Sequence, residues 1–415
     1  MHRRLAWLDA LRAVAALLVV YAHLSHYLLR GARDVTAEWL NAGPAGVMLF
    51  FLVSGYIIPA SLERHGDQRR FWLGRLARLY PLYLVVAGLA LLLHPGLSGP
   101  AAIAHATMLP HLLSVPLVTP VIWTLTFEMA FYLLVSALFA LRLHRFSAAV
   151  AVLFAVAAVA TAPLPSRLLA GPLLPVIVAG LLAAGLLAIT GRRRAAVLAG
   201  AAVLLALAVT LLLADQDPAH AWDGLLIPAV MFLGTTIHRA EQGQIPKWQA
   251  ALAASVVGVA VLTNWWAELA SLDGLIPRYI ARSVITLLVI GGAFAIGMAG
   301  RHRRVPRSLA WIGLVSYSVY LLHVPLIDLL APGLTWLGVH LHGPAELPAA
   351  AGFFAVLFGL SWLSYRFIER PGQRLLTSRA AQRIRGVMTV RPRPPPLRFR
   401  CGGSPPARPG RRWCR

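Results

Sequence analysis

Residues 195–213, AAVLAGAAVLLALAVTLLL, contain a single polar side chain, Thr210, and follow directly on three arginines at 192–194. An α-helix needs an apolar run of about this length, roughly 20 residues, to cross the hydrocarbon core of a bilayer. The stretch therefore predicts a transmembrane helix. The arginines before it predict that the helix begins at the membrane surface.

Apolar runs of similar length recur along the whole chain. Hydrophobic residues make up 59% of the 415 residues and charged residues 13%, whereas an average soluble protein has roughly 25% charged residues. No polar loop is long enough to form a separate soluble core. The sequence predicts an all-α, polytopic transmembrane bundle of about 10–12 spans. The candidate spans are 9–29, 43–61, 79–94, 121–141, 147–163, 170–190, 195–213, 222–238, 248–270, 280–299, 309–330 and 350–369.

The distribution of positive charge predicts the orientation in the membrane. The chain has 38 Lys+Arg against 15 Asp+Glu, a formal net charge of +23. If the spans alternate from a cytoplasmic N-terminus, the inner segments carry 31 of the 38 cations and the outer loops carry four, which is the bias typical of membrane proteins. We therefore expect both termini in the cytoplasm and a multi-pass location in the plasma (inner) membrane. A nucleic-acid partner is not expected, because the cations are dispersed over the inner segments and a tail.

Two regions are predicted. Residues 1–370 are expected to form the transmembrane domain, embedded in the lipid bilayer. Residues 371–415 are rich in Arg and Pro and contain no acidic residue, so we expect a disordered cytoplasmic tail that is attracted to anionic lipid. The two cysteines, Cys401 and Cys414, both lie in this tail, so neither a disulfide framework nor a metal site is predicted.

Ionisable residues inside a span are costly and therefore mark candidate functional sites. The first span contains Asp9, Arg12 and His23. At about 100° per residue, Arg12 and His23 lie on one face of a helix, roughly 16 Å apart along its axis. Asp9 lies three residues before Arg12, within reach of an ion pair on the helix surface. The alternative is that Arg12 reaches the inner interface and His23 only hydrogen-bonds a neighbouring helix.

Three ionisable groups share a predicted depth: His23, Glu128 and His323. Each lies six or seven residues from the outer end of its span, which places all three roughly 10 Å below the outer surface. A carboxylate that orients an imidazole and stabilises its charged form suits general-base chemistry. We therefore expect a His–carboxylate cluster. The alternative is an interhelical pair without a chemical role.

The predicted inner loop 62–78 is rich in arginine. A guanidinium group presents a planar fork that suits phosphate oxygens, so a phosphorylated cytosolic ligand is a candidate partner for this segment. The alternative is that the charges only fix the topology. The arginines are Arg64, Arg69, Arg70, Arg75 and Arg78.

Six segments carry recognisable motifs in a fixed order. They are LDALRAVAA (8–16) with the Arg-x10-His spacing of Arg12 and His23, GVMLFFLVSGY (46–56), the arginines from Arg69 to Arg78 with LYPLY (79–83), WTLTFEMAFY (123–132), SYSVYLLHVP (316–325) and ERP (369–371). Together they resemble the acyltransferase-3 family of integral membrane O-acyltransferases, over roughly residues 5–371. Members of that family usually have Gly where Ala10 and Ala13 stand, and frequently a second Glu where Met129 stands, so Glu128 alone keeps the carboxylate role.

The resemblance implies an enzyme that transfers an acyl group from cytosolic acyl-CoA to a hydroxyl group. Acetyl is the simplest donor group, and the implied acceptor contains a sugar, either an envelope glycan or a glycosylated secondary metabolite. No metal is implied. On this hypothesis the CoA phosphates are bound by Arg69, Arg70, Arg75 and Arg78.

The resemblance also implies roles on the acceptor side. His23 is expected to be the general base, with Arg12 along the path of the pantetheine arm. Glu128 is expected to orient His23 or bind the acceptor, and His323 is a further candidate at the same depth. The hydroxyls expected near the oxyanion and the substrate are those of Tyr56 and Thr126.

A proton-coupled membrane transporter of small molecules is the alternative from another class of function. Buried His, Glu and Arg also serve such carriers. A carrier of this kind tends to show two related halves or broken half-helices, and the sequence shows neither. Release of CoA from acyl-CoA by the purified protein distinguishes the two functions.

Overall fold

The computed structural model describes residues 6–93, 98–161, 169, 171–214, 224–272 and 274–374, and over these ranges the chain is helical, without a β-strand. A π-helical segment, Tyr365–Glu369, extends the last helix. The α-helices are α1 Ala6–Leu24, α2 Arg30–Trp39, α3 Ala42–His65, α4 Gln68–Leu93, α5 Gly99–Ala106, α6 Trp123–Ala140, α7 Ser147–Thr161, α8 Leu174–Ile189, α9 Arg194–Ala214, α10 Leu226–Glu241, α11 Lys247–Ser271, α12 Pro277–Ala299, α13 Arg307–His340 and α14 Leu347–Ser364.

The predicted all-α membrane bundle is confirmed. Each of the twelve predicted spans corresponds to one helix, and only the shorter helices α2 and α5 lie outside them. Within the described ranges, nine helices are long and apolar enough to cross a membrane, and α8 is apolar but shorter. The two remaining predicted spans are α4, whose first three turns carry arginines, and α10, which has 16 residues.

The arginine-rich segment 62–78 is helical over most of its length, and not the loop that its composition suggested. Helix α3 continues to His65 and α4 begins at Gln68. The carboxylate of Asp67 accepts hydrogen bonds from the backbone N–H groups of the two residues that follow Gln68. An acidic side chain in this position satisfies donors that a helix N-terminus leaves unpaired, which is why so polar a sequence starts a helix here.

Three other boundaries differ from the prediction. The segment after the first span, predicted as an outer loop, contains the amphipathic helix α2, and α13 continues ten residues beyond the predicted end at 330. The last helical stretch reaches Arg374, although the tail was predicted from 371. The rest of the predicted tail, 375–415, lies outside the described residues.

Close backbone contacts hold α1 between α3 and α13. A Cβ atom added at Gly46 would lie 2.6 Å from the backbone oxygen of Ala15, and one at Gly313 would overlap the carbonyl of Asp9. Gly55 of α3 is packed just as closely, because a Cβ atom added there would overlap the backbone of α10. Small residues permit such approaches between membrane helices. These contacts fix the positions of the helices that carry most of the predicted site residues.

The segments predicted to be cytoplasmic meet at one end of the bundle, which we call the inner end. Arg239 at the end of α10 forms an ion pair with Glu63 at the end of α3. Arg301 lies just after α12, and its Nε atom is 2.9 Å from Oε1 of Glu241. Three predicted inner segments are therefore joined by two ion pairs.

The opposite, outer end joins the predicted outer segments. The backbone N–H of Asn41 donates to Oγ1 of Thr286 at 3.0 Å. The backbone N–H of Leu29 donates to the carboxylate of Glu346. Helices α3, α10 and α12 therefore all end at the inner end of the bundle, as the span prediction requires.

Candidate active site

A narrow cavity of about 70 Å³ lies between α1, α3, α4, α6 and α13. Its charged lining consists of Arg12, Arg75, Arg78 and Glu128. The structure thus brings together four predicted site residues from three helices. Three guanidinium groups against one carboxyl give this cavity, which we call the arginine cavity, a positive lining.

Arg75 is held in place by residues of α6 and α3. The guanidinium group of Arg75 lies 5.5 Å from the ring centre of Tyr132 and donates to Oγ of Ser61. Such cation–π and hydrogen-bond contacts restrict an otherwise mobile side chain. Arg69 and Arg70 do not line the cavity, because they are exposed in the first turn of α4. The α4 arginines therefore run from the inner surface of the bundle to the arginine cavity.

Glu128 is held by a neighbour on its own helix. The hydroxyl of Tyr132, one turn further along α6, donates a hydrogen bond to Oε1 of Glu128. Among the described residues no hydrogen bond joins Glu128 to His23, so the predicted contact between this carboxylate and the imidazole is not present.

A second carboxyl lies behind the arginine cavity. Glu369 is 3% exposed and accepts a hydrogen bond from the hydroxyl of Ser318 on α13. Both Arg12 and Arg78 lie close enough to interact electrostatically with it. Two of the three cavity arginines therefore face a buried carboxyl from the far end of the chain.

His23 and His323 meet directly. Nδ1 of His23 lies 3.3 Å from Nε2 of His323, and the two ring centres are 5.0 Å apart. His323 is completely buried, whereas His23 is half-buried. The two histidines that were predicted at one depth are therefore in contact. His23 is the penultimate residue of α1, so it lies closer to the end of its helix than the predicted span 9–29 placed it.

Hydrogen bonds around the histidine pair determine its tautomers. Nδ1 of His323 lies 2.6 Å from the carbonyl oxygen of Tyr320, and Nδ1 of His23 lies 2.9 Å from that of Val19. A carbonyl oxygen only accepts hydrogen bonds, so both Nδ1 atoms carry the proton. In the neutral pair, the single Nδ1 hydrogen of His23 is shared between the Val19 carbonyl oxygen and Nε2 of His323. Nε2 of His23 keeps its lone pair.

One residue connects the histidine pair to the arginine cavity. Tyr320 accepts the His323 hydrogen bond through its backbone, and its hydroxyl lies 3.0 Å from Oγ1 of Thr124. Both Tyr320 and Thr124 line the cavity. Tyr320 is the last residue of α13 that lines the cavity, and Thr124 is the first residue of α6 that does so. Because α13 runs towards the outer end of the bundle and α6 runs away from it, these two residues mark the outer end of the cavity.

Two predicted substrate-binding hydroxyls lie elsewhere. Thr126 is two residues from Thr124, about 200° around α6, and its buried hydroxyl has no hydrogen-bond partner among the described residues. Tyr56 faces a different cavity, on the opposite side of α3, and its hydroxyl donates to Glu241. The hydroxyl-bearing residues at the outer end of the arginine cavity are instead Thr124 and Tyr320.

Comparison with known proteins gives one family. A family model described as an acyltransferase domain matches residues 5–366. A "Putative O-acetyltransferase" of Staphylococcus aureus (strain COL) is 36% identical over 100 residues, which are 22% of this chain and 15% of the relative. The "Putative peptidoglycan O-acetyltransferase YrhL" of Bacillus subtilis (strain 168) is 37% identical over 92 residues, 20% of this chain and 13% of the relative.

A third relative is matched over a longer stretch. The "Acyltransferase MdmB" of Streptomyces mycarofaciens is 33% identical over 148 residues, 31% of this chain and 38% of the relative. The chain therefore spans well under half the length of each of these relatives. No solved structure matches the chain at a significant level.

Proposed function

The chain belongs to the acyltransferase family whose model matches it, and from this premise we propose that it transfers an acyl group, acetyl being the simplest, from cytosolic acyl-CoA to a hydroxyl of a sugar-containing acceptor. One observation carries the proposal. Tyr320 lines the arginine cavity and also contacts the histidine pair at the outer end of α1, so it connects the two. The relatives named as O-acetyltransferases support oxygen as the accepting atom.

The α4 arginines support a donor that carries phosphates. From Arg69 to Arg78 they extend over roughly 14 Å of helix, with the first pair exposed and the second pair at the cavity. Acyl-CoA has phosphates at one end and a thioester at the end of a long arm. In the proposed mode, Arg69 and Arg70 bind phosphates at the inner surface, and the arm passes Arg75 and Arg78 towards Arg12.

The histidine pair supports a general-base mechanism. Nε2 of His23 accepts the proton of the acceptor hydroxyl, and the acceptor oxygen forms a bond to the thioester carbonyl carbon. The carbon–sulfur bond then breaks, and the CoA thiolate takes up the proton from the imidazolium. The products are an acyl ester and CoA.

Two neighbouring groups complete the proposed site. His323 acts as a positioning residue, because it accepts the Nδ1 hydrogen of His23 and so keeps Nε2 available for the proton. The hydroxyls of Tyr320 and Thr124 lie between the histidines and the arginines. Hydroxyl donors in that position stabilise the negative charge that develops on the thioester oxygen.

The test is acyl transfer by the purified protein, measured as CoA release from acetyl-CoA with and without added glycan or glycoside acceptors. We expect His23→Ala to lower the rate by about 10²–10⁴-fold, the usual contribution of general-base catalysis. His26→Ala is the matched control, since His26 is exposed and lies one turn away. Near-normal transfer by His23→Ala would overturn the base assignment. If the wild type released no CoA with any acceptor, the proposal would fail and proton-coupled transport would be favoured.

A further inference from the structure

Two further cavities lie on the other side of α3 from the arginine cavity. The ion pair between Glu241 and Arg301 lines both of them, so they meet there. The first, about 620 Å³, is an apolar groove bounded by α3, α10, α11 and α12. The second, about 980 Å³, is polar and lies at the inner end of the bundle. An apolar space that continues into a polar one has the shape of a site for an amphiphilic molecule.

The groove is a space between α11 and α12, which face each other with small residues but do not pack closely along this stretch. Ala254 and Gly258 of α11 lie opposite Gly291 and Ala295 of α12. A Cβ atom added at Gly291 would meet nothing within 4 Å. Such faces normally pack together in membranes, and here a space remains that exposes apolar walls.

The groove has the length of one membrane leaflet. It begins at Lys247 on the inner side and ends at Val261, a distance of roughly 21 Å along α11. Half of the hydrocarbon core of a bilayer is about 15 Å thick. An acyl chain that starts at the inner surface therefore fits along it.

The charges at the inner end favour an anion. Glu63 and Glu241 are already paired with arginines. Arg64 lines the polar cavity and Lys247 lines the start of the groove, and neither makes an ion pair with any residue that the structure describes. The inner end of each cavity therefore has one cation, Lys247 or Arg64, that forms no ion pair within the described part of the chain. Trp248, 62% exposed next to Lys247, is of the residue type that anchors proteins at the membrane interface.

We propose that the two cavities form one binding site for an anionic glycerophospholipid of the inner leaflet. Its acyl chain lies in the groove, its phosphate lies near Lys247, and its polar headgroup occupies the inner cavity near Arg64. The site is separate from the arginine cavity. It does not depend on the proposed reaction.

Native mass spectrometry of the delipidated full chain tests the headgroup. With phosphatidylglycerol and phosphatidylcholine of identical chains added in turn, we expect one retained phosphatidylglycerol and a clear preference for it. Lys247→Gln and Arg64→Gln should each lower that preference about fivefold, the effect of roughly 1 kcal/mol for each cation near an anionic lipid. Arg303→Gln is the control, because Arg303 is exposed in the same inner segment and lines neither cavity.

A second variant tests the groove itself without touching a charge. Gly291→Leu adds bulk inside the groove and should abolish retention of both lipids, whereas Gly359→Leu adds the same bulk at an open position on α14 and should not. Thermal unfolding of both variants verifies that they are folded. Equal retention of the two lipids by the wild type, or undiminished binding by Gly291→Leu, would overturn the proposal. So would dimers that replace the lipid, since a second copy would then fill the groove.

Discussion

His23 has two ring nitrogens, and its neighbours decide which one is available for a proton. The backbone oxygen of Val19 and Nε2 of His323 both lie on the Nδ1 side. This arrangement is the familiar one in which a hydrogen bond at one nitrogen fixes the tautomer and the ring orientation. The function proposed for His23 therefore depends on a buried residue 300 positions away in the sequence.

The role of His323 can be tested by a rescue experiment. We expect His323→Leu to lower kcat about 10- to 100-fold, because a misoriented base loses its alignment with the acceptor hydroxyl. The KM for acyl-CoA should not change. His323→Gln should recover part of the rate, since its amide oxygen can accept the same hydrogen bond, and it should keep the wild-type pH profile. If Gln and Leu were equally inactive and both lowered the melting temperature, the role would be structural.

The four α4 arginines should separate into two classes. Arg78→Gln removes a charge from the cavity and should lower kcat/KM for acetyl-CoA by about 10²-fold, the magnitude seen when one preorganised donor is removed from an active site. Arg70→Gln removes an exposed charge and should raise KM about fivefold or less. Only the increase in KM caused by Arg70→Gln should vanish at high salt, because salt screens exposed charges most strongly. Equal effects of the two substitutions would contradict the proposed donor path.

The sequence identifies several residues of the candidate site because ionisable side chains are energetically costly inside a membrane span. Arg12, Glu128, His23 and His323 are conspicuous for that reason. Their predicted depths indicated that His23 lies near His323, but not that Glu128 shares a cavity with Arg12. Hydroxyl groups such as those of Thr124 and Tyr320 are inexpensive in a helix, so the sequence gives no sign of which ones face a cavity. Thr126 shows the limit, because two positions of sequence separation place it on the opposite face of α6.

At the scale of helices, glycines set how closely the central elements pack. Gly55→Ala should destabilise the protein by at least about 1–3 kcal/mol, the usual cost of overpacking, because its methyl group would overlap the backbone of α10. Gly359→Ala is the control: the position is open, and alanine favours a helix over glycine by roughly 1 kcal/mol. Thermal unfolding in detergent should show a lowered melting temperature for the first variant only. Equal melting temperatures would mean that α3 and α10 can separate at small cost.

The sequence predicted the helices well where a long run of apolar residues determines them. It predicted the ends of the helices less well. Helix α13 was predicted to end at 330, but it continues to His340 although Pro325 and Pro332 lie within it. Neighbouring helices compensate for such interruptions in membranes. The start of α4 was missed because a helix cap such as Asp67 is a weaker signal than a run of arginines. Amphipathic α2 is too short and too polar to register as a span.

At the scale of the whole molecule, charge and helix direction together predict the orientation. Both cysteines lie at 401 and 414, so replacing them by serine gives a background without thiols. In intact cells, Asp34→Cys on α2 should react with a membrane-impermeant maleimide, because Asp34 is exposed at the outer end. Gln242→Cys, exposed at the inner end, should react only after the cells are broken. Labelling in the reverse order would show that the protein lies in the membrane in the opposite direction.

Lys247, at the first position of α11, is the single lysine of the chain. An amine-reactive fluorophore therefore has one side-chain target, and the terminal amine can be blocked beforehand at neutral pH, where it is the more reactive of the two. The dye would then lie where the apolar groove opens at the inner end. Its emission would report the polarity of that opening continuously, as water is exchanged for lipid, without any engineered label.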